Sequence, residues 1–545
     1  MKKGLLALLL LFTFITLVAC SKTTTTLTTT AAITRDTSWK TVYDAVDTSP
    51  EFLSEVGVCY QVFPISFADS DDDGYGDLNG IAENISYFSE TLNVDCIWMN
   101  PINPSPSYHK YDVTDYYGID PQFGTMADFE NLIAVADAAG IKILMDLVIN
   151  HTAFSHPWFV SSRQGDSSTY RDWYVWNTLT NRTAFPSKTG WYLNNGVYYF
   201  ASFWDQMPEL NYDNPLVRTE IKNIATFWLE KGVSGFRIDA AKHIYDTSEY
   251  PNGTPTLQEN IDFFKEFNAH VKSIDANAFV LGEVYVTSSS YVANYYQGMD
   301  SAFNFEFADK LIYSLQSGYD SAAISTLITA RSNYQAKRTD YIDSLFLTNH
   351  DQDRIIDKLG YDQNKMKLAA SIMMTLPGIS WIYYGEELGL SGVKPDASIR
   401  QPFKWGQGLI DYNTEGKSGG IASWSAYNLS LVGMTEQLLD SGSILNRYIT
   451  MINLKQASDV LKKGDLQAIT NPVNQLMTYT RSYGGVTYLV VHNLSSVNQT
   501  ITHDITGATV LYESQALGSS AMTFTFSPYS TTIFIVPTAS ITFQR

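Results

Sequence analysis

Four acids and one arginine carry the chemistry that this sequence offers. In Gly235-Phe236-Arg237-Ile238-Asp239-Ala240-Ala241-Lys242-His243, Arg237 and Asp239 alternate with apolar residues. Both side chains therefore leave a short strand on the same side. An arginine two residues from a carboxylate keeps it ionised and fixes its position. Asp239 is then a candidate nucleophile at a strand end, with Lys242 and His243 lining a polar cleft beyond it. Taken alone, the same pattern fits a structural ion pair equally well. Other strand-like runs end in similar residues: Asp146 before Asn150-His151, Glu283 after Gly282, and Asn349-His350-Asp351. Asp239, Glu283 and Asp351 converging on one mouth, with no Ser or Cys nucleophile beside them, point to glycoside hydrolysis. A ring of structural ion pairs is the alternative.

Such convergence needs strands that end at a common face. From Val56 onward, apolar runs alternate with amphipathic segments, the pattern of a parallel α/β sheet. Strands are predicted at Val58–Phe63, Val94–Met99, Ile141–Val148, Gly235–Ala240, Phe279–Val284, Ser344–Thr348 and Ile379–Tyr383, with one more at Ala302–Phe307. Phe129–Ala139, Ile221–Glu230 and Ile261–Ile274 read as intervening helices. Eight strand–helix units predict an α/β fold of the (β/α)8 TIM barrel type, whose chemistry sits at the carboxyl ends of the strands. Asp239, Glu283 and Asp351 would then follow strands four, five and seven. Too many residues separate the third and fourth strands for one helix. Residues 151–213, rich in Trp, Tyr, Asn and Gly, are therefore expected to form an inserted subdomain. After Lys463, short alternating runs at Val486–Val491, Gln499–His503 and Thr523–Phe526 predict a C-terminal antiparallel β-sandwich. The barrel would occupy residues 49–150 and 214–462, and the sandwich 463–545.

A second acidic group lies in Asp69-Ser70-Asp71-Asp72-Asp73-Gly74-Tyr75-Gly76-Asp77. Alternate carboxylates and a Gly at the sixth position match the start of an EF-hand loop, but the twelfth position is Gly80 and not Glu. Asp69, Asp71, Asp73, the Tyr75 carbonyl and Asp77 are candidate ligands for a structural cation. A solvated acidic turn is the alternative, although acids this dense repel one another.

The formal net charge of −20 over 545 residues argues against nucleic acid or anionic lipid as a partner. With 35 Tyr and 11 Trp, the composition leans toward carbohydrate, because aromatic faces stack on sugars as readily as they fill cores. At the N-terminus, Lys2-Lys3 precede an apolar run from Gly4 to Ala19 that is short for a membrane span. Its end, Leu17-Val18-Ala19-Cys20, resembles the lipobox of bacterial lipoproteins. The resemblance implies a removed signal at 1–19, a lipid anchor at Cys20 as the only membrane attachment, and an extracellular protein held at the cell membrane. An ordinary signal peptide is the alternative. A Thr-rich tether is expected over 20–48. Cys59 and Cys96 lie in apolar runs and read as buried thiols, with a disulfide between neighbouring strands left open.

Several motifs stand in order along the chain: Asp146-Leu147-Val148-Ile149-Asn150-His151, Gly235–His243, Gly282-Glu283-Val284, and Phe346-Leu347-Thr348-Asn349-His350-Asp351. Around them lie Tyr60-Gln61-Val62-Phe63-Pro64, Tyr108-His109-Lys110-Tyr111-Asp112, Met207-Pro208-Glu209-Leu210-Asn211 and Gly378–Glu387. This ordered set resembles the α-amylase family of retaining glycoside hydrolases (glycoside hydrolase family 13), nearest its intermediate group of bacterial α-amylases.

The resemblance implies a nucleophile at Asp239, an acid/base at Glu283 with a raised pKa, and a transition-state stabiliser at Asp351. A retaining pair has its carboxyls roughly 5–5.5 Å apart. His109, His151, His350 and Asp146 would contact the cleaved sugar, Tyr111 would lie under it, and Arg237 would hold the nucleophile. The acidic loop would bind Ca2+. Lys242-His243 and Ala240 resemble endo-acting members, where the pair lines sites for leaving-group sugars. The acidic loop and Met207–Asn211 lean toward oligoglucosidases and neopullulanases, with Glu209 where Asp is usual. The implied reaction is endo-hydrolysis of α-1,4 bonds in starch, glycogen or maltodextrins, with an α-glucan as partner. An α-glucosidase or cyclomaltodextrinase-like hydrolase, and a catalytically silent glucan-binding lipoprotein, are the alternatives.

Overall fold

A computed structural model describes Thr34–Arg35 and residues 56–177, 190–247, 256–406, 424–502, 507–520 and 523–537. The leader ending at Cys20 and the rest of the Thr-rich tether lie outside the described residues. Eight parallel strands close into a barrel: β1 (Val58–Val62), β2 (Cys96–Met99), β3 (Lys142–Leu147), β4 (Gly235–Ile238), β5 (Phe279–Gly282), β6 (Ser301–Phe303), β7 (Ile342–Leu345) and β8 (Ile379–Tyr383). β8 pairs with β1, which completes the closure. Strands covered on both faces read as near-continuous apolar runs, which is why they are visible in the sequence.

The helices between them carry ordinary start signals. Thr125 and Asp128 form a capping box at α1 (Met126–Ala138), and Asn214 caps α2 (Pro215–Glu230) with a Pro at its first position. In α2, Val217, Ile221, Ile224, Ala225 and Trp228 make the stripe buried against the barrel. α3 (Leu257–Ile274) buries Phe263, Phe264, Phe267 and Val271 in the same way.

Two expectations are corrected. The predicted strand Ala302–Phe307 stops at Phe303, because the Asn304 side chain accepts the Phe307 N–H and starts α4 (Phe305–Ser317). The alternation of Phe303, Phe305 and Phe307 imitated a strand. Cys59 and Cys96 are not free thiols: they lie opposite each other in β1 and β2, 4.6 Å apart at Cα, and form a disulfide.

Between β3 and β4 the chain makes a three-stranded antiparallel sheet from Trp176–Asn177, Trp191–Asn194 and Val197–Phe200. Its base is stitched to the barrel by Leu210 N–H to the Asn150 carbonyl and Thr152 N–H to the Pro208 carbonyl, at 3.0 and 3.1 Å.

The C-terminal strands are β9 (Asp465–Ala468), β10 (Leu476–Tyr483), β11 (Val486–Asn493), β12 (Gln499–Thr502), β13 (Thr509–Glu513), β14 (Gly518–Ser520), β15 (Thr523–Phe526) and β16 (Thr531–Val536). They form one sheet ordered β13-β16-β11-β10-β9 and a second ordered β12-β15-β14. Leu489, Val491, Ile501, Phe524, Phe526 and Phe534 fill the space between. Thr34–Arg35 pairs in parallel with β13, so part of the expected tether is a strand.

One backbone approach fixes the strand that carries Arg237. Gly235 opens β4 with φ +145°, and a Cβ there would sit 2.1 Å from the Phe279 carbonyl oxygen. Gly235→Ala is therefore expected to cost about 3 kcal/mol. A melting temperature equal to that of the wild type would contradict this approach.

Candidate active site

Arg237 stands at the centre of the site, fully buried. Strand register sets Asp146 of β3 directly beside it. Its Nη1 donates to Asp146 Oδ1 at 2.9 Å and to Asp239 Oδ1 at 2.7 Å. Its Nη2 meets Glu283 Oε2 at 3.0 Å. The guanidinium lies 5.0 Å from the Trp98 ring, and Trp98 Nε1 donates to Asp146 Oδ2 at 3.2 Å.

Asp239 and Glu283 are the first residues past β4 and β5. Asp239 N–H still donates to the Leu147 carbonyl at 3.2 Å, and Glu283 N–H to the Ile238 carbonyl at 3.0 Å. Ala240 then turns left-handed at φ 47°, and its N–H donates to Glu283 Oε2 at 3.0 Å. The sharp turn ends the strand two residues before its predicted limit.

Asp351 closes the group from the loop after β7. Arg400 Nη2 meets its Oδ1 at 2.9 Å, His350 Nε2 meets its Oδ2 at 3.1 Å, and its N–H donates to Asn349 Oδ1 at 2.9 Å. Its side chain remains 43% exposed, so it faces the opening. The sequence reading missed Arg400. It lies 49 residues downstream of Asp351 in no motif, and only the fold brings the two together.

Burial lifts the carboxyls of Asp239 and Glu283 above their ordinary range, while Arg237 pulls both down. The negative charge of Asp351 pushes both up again, and Asp239 adds to the rise at Glu283. Burial likewise raises Asp146, against the opposing charge of Arg237. Asp351 goes the other way. Burial would raise it, but His350 and Arg400 overcome that and hold it below the usual carboxylate range.

His109, His151 and His350 are neutral. Burial brings His151 down to about 4 and His350 down to about 3. Burial also lowers His109, although Asp112 opposes it. Hydrogen bonds then fix which nitrogen carries the proton. Gln61 Nε2 donates to His350 Nδ1 at 2.8 Å, so His350 is protonated at Nε2. That nitrogen is 2.6 Å from Tyr111 Oη, which in turn donates to Asp146 Oδ2 at 2.9 Å. His151 Nε2 faces the Tyr111 carbonyl at 3.1 Å, and His109 Nδ1 accepts the Tyr111 N–H at 3.1 Å. The Tyr111 ring stacks on His350, with centroids 5.4 Å apart.

These groups open into a cleft of about 480 Å³ lined by His109, Tyr111, His151, Asp239, Lys242, His243, Glu283, Asp351 and Arg400. Phe203, Trp204 and Tyr285 also line it, although 50, 47 and 58% exposed. The sequence marked the region of Phe203 and Trp204 as aromatic-rich without singling them out, and Tyr285 lies outside it. His243 pairs through Nδ1 with Asp246, and its ring lies 5.1 Å from Phe203. Lys242 Nζ donates to the Tyr285 carbonyl at 3.3 Å. Glu209 is buried and accepts the Ser202 N–H at 2.7 Å, an anchor inside the insertion.

In the acidic loop the carboxylates of Asp69, Asp71 and Asp77 lie within 4.8 Å of one another. Asp73 lies outside this group, its Oδ1 accepting the Tyr75 N–H at 2.8 Å. Backbone amides hold the loop: Gly74 N–H donates to Asp69 Oδ2 at 2.7 Å and Ser70 N–H to Asp77 Oδ2 at 2.7 Å. Three hard oxygen donors so close suit a divalent cation such as calcium.

A family model described as the alpha amylase catalytic domain matches residues 61–464, and one for the alpha-amylase SusG C-terminal domain matches 476–533. The chain is 42% identical over 488 residues to Alpha-amylase 3 of Dictyoglomus thermophilum, covering 88% of this chain and 93% of that protein. It is 32% identical over 448 residues to a 4-alpha-glucanotransferase of Thermotoga neapolitana, covering 80% and 95%. The crystal structure of an alpha-amylase from H. orenii superposes with a TM-score of 0.79 at 35% identity, covering 88% of this chain and 99% of the other.

Removing the central cation strands three acids. Arg237→Met is expected to lower activity at least about 10³-fold. It should also destabilise the fold by about 3–5 kcal/mol. Without the guanidinium the folded-state pKa values of Asp146 and Asp239 rise further, so stability is lost as pH climbs through them. The melting-temperature penalty should accordingly be smaller at pH 5 than at pH 8. Equal penalties at the two pH values would contradict this.

Proposed function

The chain belongs to the α-amylase family of glycoside hydrolases, and we propose that it hydrolyses internal α-1,4-glucosidic bonds of starch, glycogen or maltodextrins with retention. The observation that carries the mechanism is a single buried guanidinium holding both Asp239 and Glu283, at 2.7 and 3.0 Å. That shared grip supports the short carboxyl spacing of a double displacement, about 5–5.5 Å, over the wider one that admits water between them.

In the first step an Asp239 carboxylate oxygen attacks the anomeric carbon. Glu283 gives its proton to the departing glycosidic oxygen, leaving a glycosyl ester on Asp239. In the second step Glu283, now a carboxylate, takes a proton from water, whose oxygen attacks the same carbon and frees Asp239. Asp351, ionised and exposed to the opening, offsets positive charge on the sugar ring. Neutral His109 offers its Nε2–H to ring hydroxyls without adding charge, while the N–H groups of His151 and His350 hold the Tyr111 carbonyl and hydroxyl in place.

Endo action is supported by the aromatic wall of Phe203, Trp204 and Tyr285 beside Lys242 and His243, which lines the cleft beyond the acids. An exo-acting glucosidase needs no such extended wall on the leaving side.

The acidic loop would hold calcium through Asp69, Asp71 and Asp77. A divalent ion there would relieve the repulsion of three close carboxylates and lock the turn into α-helix Leu78–Glu83, whose N-cap is Asp77.

Soluble starch should yield mixed maltooligosaccharides from internal cleavage, whereas glucose alone from chain ends would overturn the endo reading. Asp239→Asn and Glu283→Gln should each lose about 10⁴-fold or more in kcat while keeping the wild-type fold. Near-full turnover in either would refute its role. Because Glu283 titrates high, the alkaline limb of kcat should lie above an ordinary carboxylate and vanish in Glu283→Gln.

Chelation tests the ion. With calcium about a hundredfold above its Kd, its removal should cost the fold about 2–3 kcal/mol. Calorimetry showing the same melting temperature with and without chelator would reject the site.

A further inference from the structure

A second buried arginine lies close to the site and takes no part in the chemistry. Arg354 is buried, yet no carboxylate among the described residues forms an ion pair with it, and its Nη2 has no hydrogen-bond partner. Glu386 and Glu387 feel its charge, but burial pushes both up, to about 8 and about 7, which makes them weak counterions. The guanidinium instead lies 4.4 and 4.7 Å from the rings of Tyr383 and Tyr384. Its hydrogen bonds go to main-chain carbonyls: Nη1 donates to Tyr384 at 2.8 Å and Nε to Ile399 at 2.9 Å. Withdrawing a cation from water is costly, and here it serves to hold backbone.

The Ile399 carbonyl precedes Arg400, and it is the first of three in a row held by side chains. Tyr383 Oη donates to the same Ile399 carbonyl at 3.0 Å. Ser66 Oγ donates to the Arg400 carbonyl at 2.7 Å, and Tyr384 Oη to the Gln401 carbonyl at 2.7 Å. The donors come from three places in the barrel. Ser66 lies beyond β1, Arg354 beyond β7, and Tyr383 and Tyr384 at the end of β8. Arg354 is also only three residues past Asp351, and its own N–H donates to the Gly392 carbonyl at 2.8 Å. The clamp therefore ties the backbone under Arg400 to the loop that carries Asp351.

Such a clamp matters because Arg400 has a choice of acid. Its Nε donates to the His350 carbonyl at 2.9 Å and its Nη1 to Tyr108 Oη at 3.0 Å. Its Nη2 is shared: Asp351 Oδ1 is 2.9 Å away and Asp396 Oδ2 3.3 Å. Lys394 Nζ meets the other oxygen of Asp396 at 3.0 Å. A small shift of the backbone at Arg400 would exchange the nearer acid for the other.

We propose that Arg354 is a positioning residue for the reaction: with Tyr383 it holds the Ile399 carbonyl, and so aims Arg400 at Asp351 and away from Asp396. It touches neither the substrate nor the reacting atoms. Without the clamp Arg400 would divide between the two aspartates, and Asp351 would lose part of the pairing that fixes it at the opening. The proposal rests on the reading of Asp351 as the acid that offsets charge on the sugar.

The test is a double-mutant cycle on soluble starch, using the full chain. Arg354→Met should lower kcat about 10²-fold, the effect of misplacing a group in the site by about 1 Å, and leave KM little changed. Arg400→Met should lower kcat by about 10²–10³-fold. In the Arg400→Met background, Arg354→Met should cost no more than about twofold further, because the residue it aims is gone. Wild-type kcat in Arg354→Met overturns the proposal, as does a loss that repeats in full in the Arg400→Met background. If Arg354→Met does not fold, Tyr383→Phe takes its place, since it removes only the second donor to the same carbonyl. It should lower kcat about three- to tenfold in the wild type and leave Arg400→Met unchanged. No loss, or the same loss in both backgrounds, overturns the proposal. Asp351→Asn separates the two readings. Near-wild-type kcat there overturns the role of Asp351 itself, whereas an inactive Asp351→Asn beside an additive cycle overturns the positioning role alone.

Discussion

The site depends on one buried cation. Arg237 has no exposed surface, and burying a guanidinium unpaired would be prohibitive. Three strands solve this together by bringing Asp146, Asp239 and Glu283 to its two amino groups. None of the three acids could be buried there alone. The order of the strands follows from the barrel, and the register of β3 against β4 follows from closing it. The fold therefore carries the chemistry: a one-residue slip of β4 would swap Arg237 and Asp239 for apolar neighbours.

Charge explains why the acids behave differently. Asp146, Asp239, Glu283 and Asp351 share two nearby arginines, Arg237 and Arg400. Fully ionised, the four would leave two uncompensated negative charges in a largely buried space. The site answers by keeping a proton available. Asp351, beside Arg400 and facing the opening, is the acid best able to stay ionised. The other three, deeper and crowded on one cation, are raised. Neutral histidines complete the arrangement, because burial denies them charge and leaves them as N–H donors.

Much of this was legible in the sequence, for physical reasons. Strands buried on both faces announce themselves as apolar runs, so all eight predicted strands overlap those of the barrel, and the acids sit where those runs end. Pairings across the fold were not legible. Cys59 and Cys96 required the register of β1 against β2, and Arg400 required the return of a distant loop. At Phe303–Phe307 a local conflict misled: aromatic alternation favoured a strand, while Asn304 as a cap decided for a helix. The neutrality of His151 and His350 was also hidden, since it comes from burial and not from residue type. Asp73 was grouped with the other loop acids by spacing; its exposed carboxylate accepts the Tyr75 amide, outside the group of Asp69, Asp71 and Asp77.

Glu283 holds the remaining tension. Its Oε2 accepts from both Arg237 and the Ala240 amide, and both bonds favour the ionised form. Burial and the charges of Asp239 and Asp351 favour the protonated one. The balance settles upward, leaving Oε1 as the oxygen that can carry the proton, since Oε2 is already committed to two donors. A sugar entering the cleft displaces water and strengthens each of these interactions. Desolvation is already the largest influence on this carboxyl, so substrate binding pushes it further toward the acid the first step needs. In the proposed mechanism Asp239 becomes an ester and its charge disappears, and one of the influences raising Glu283 disappears with it. The carboxyl that gave up a proton is then left easier to keep ionised, which suits the base required in the second step.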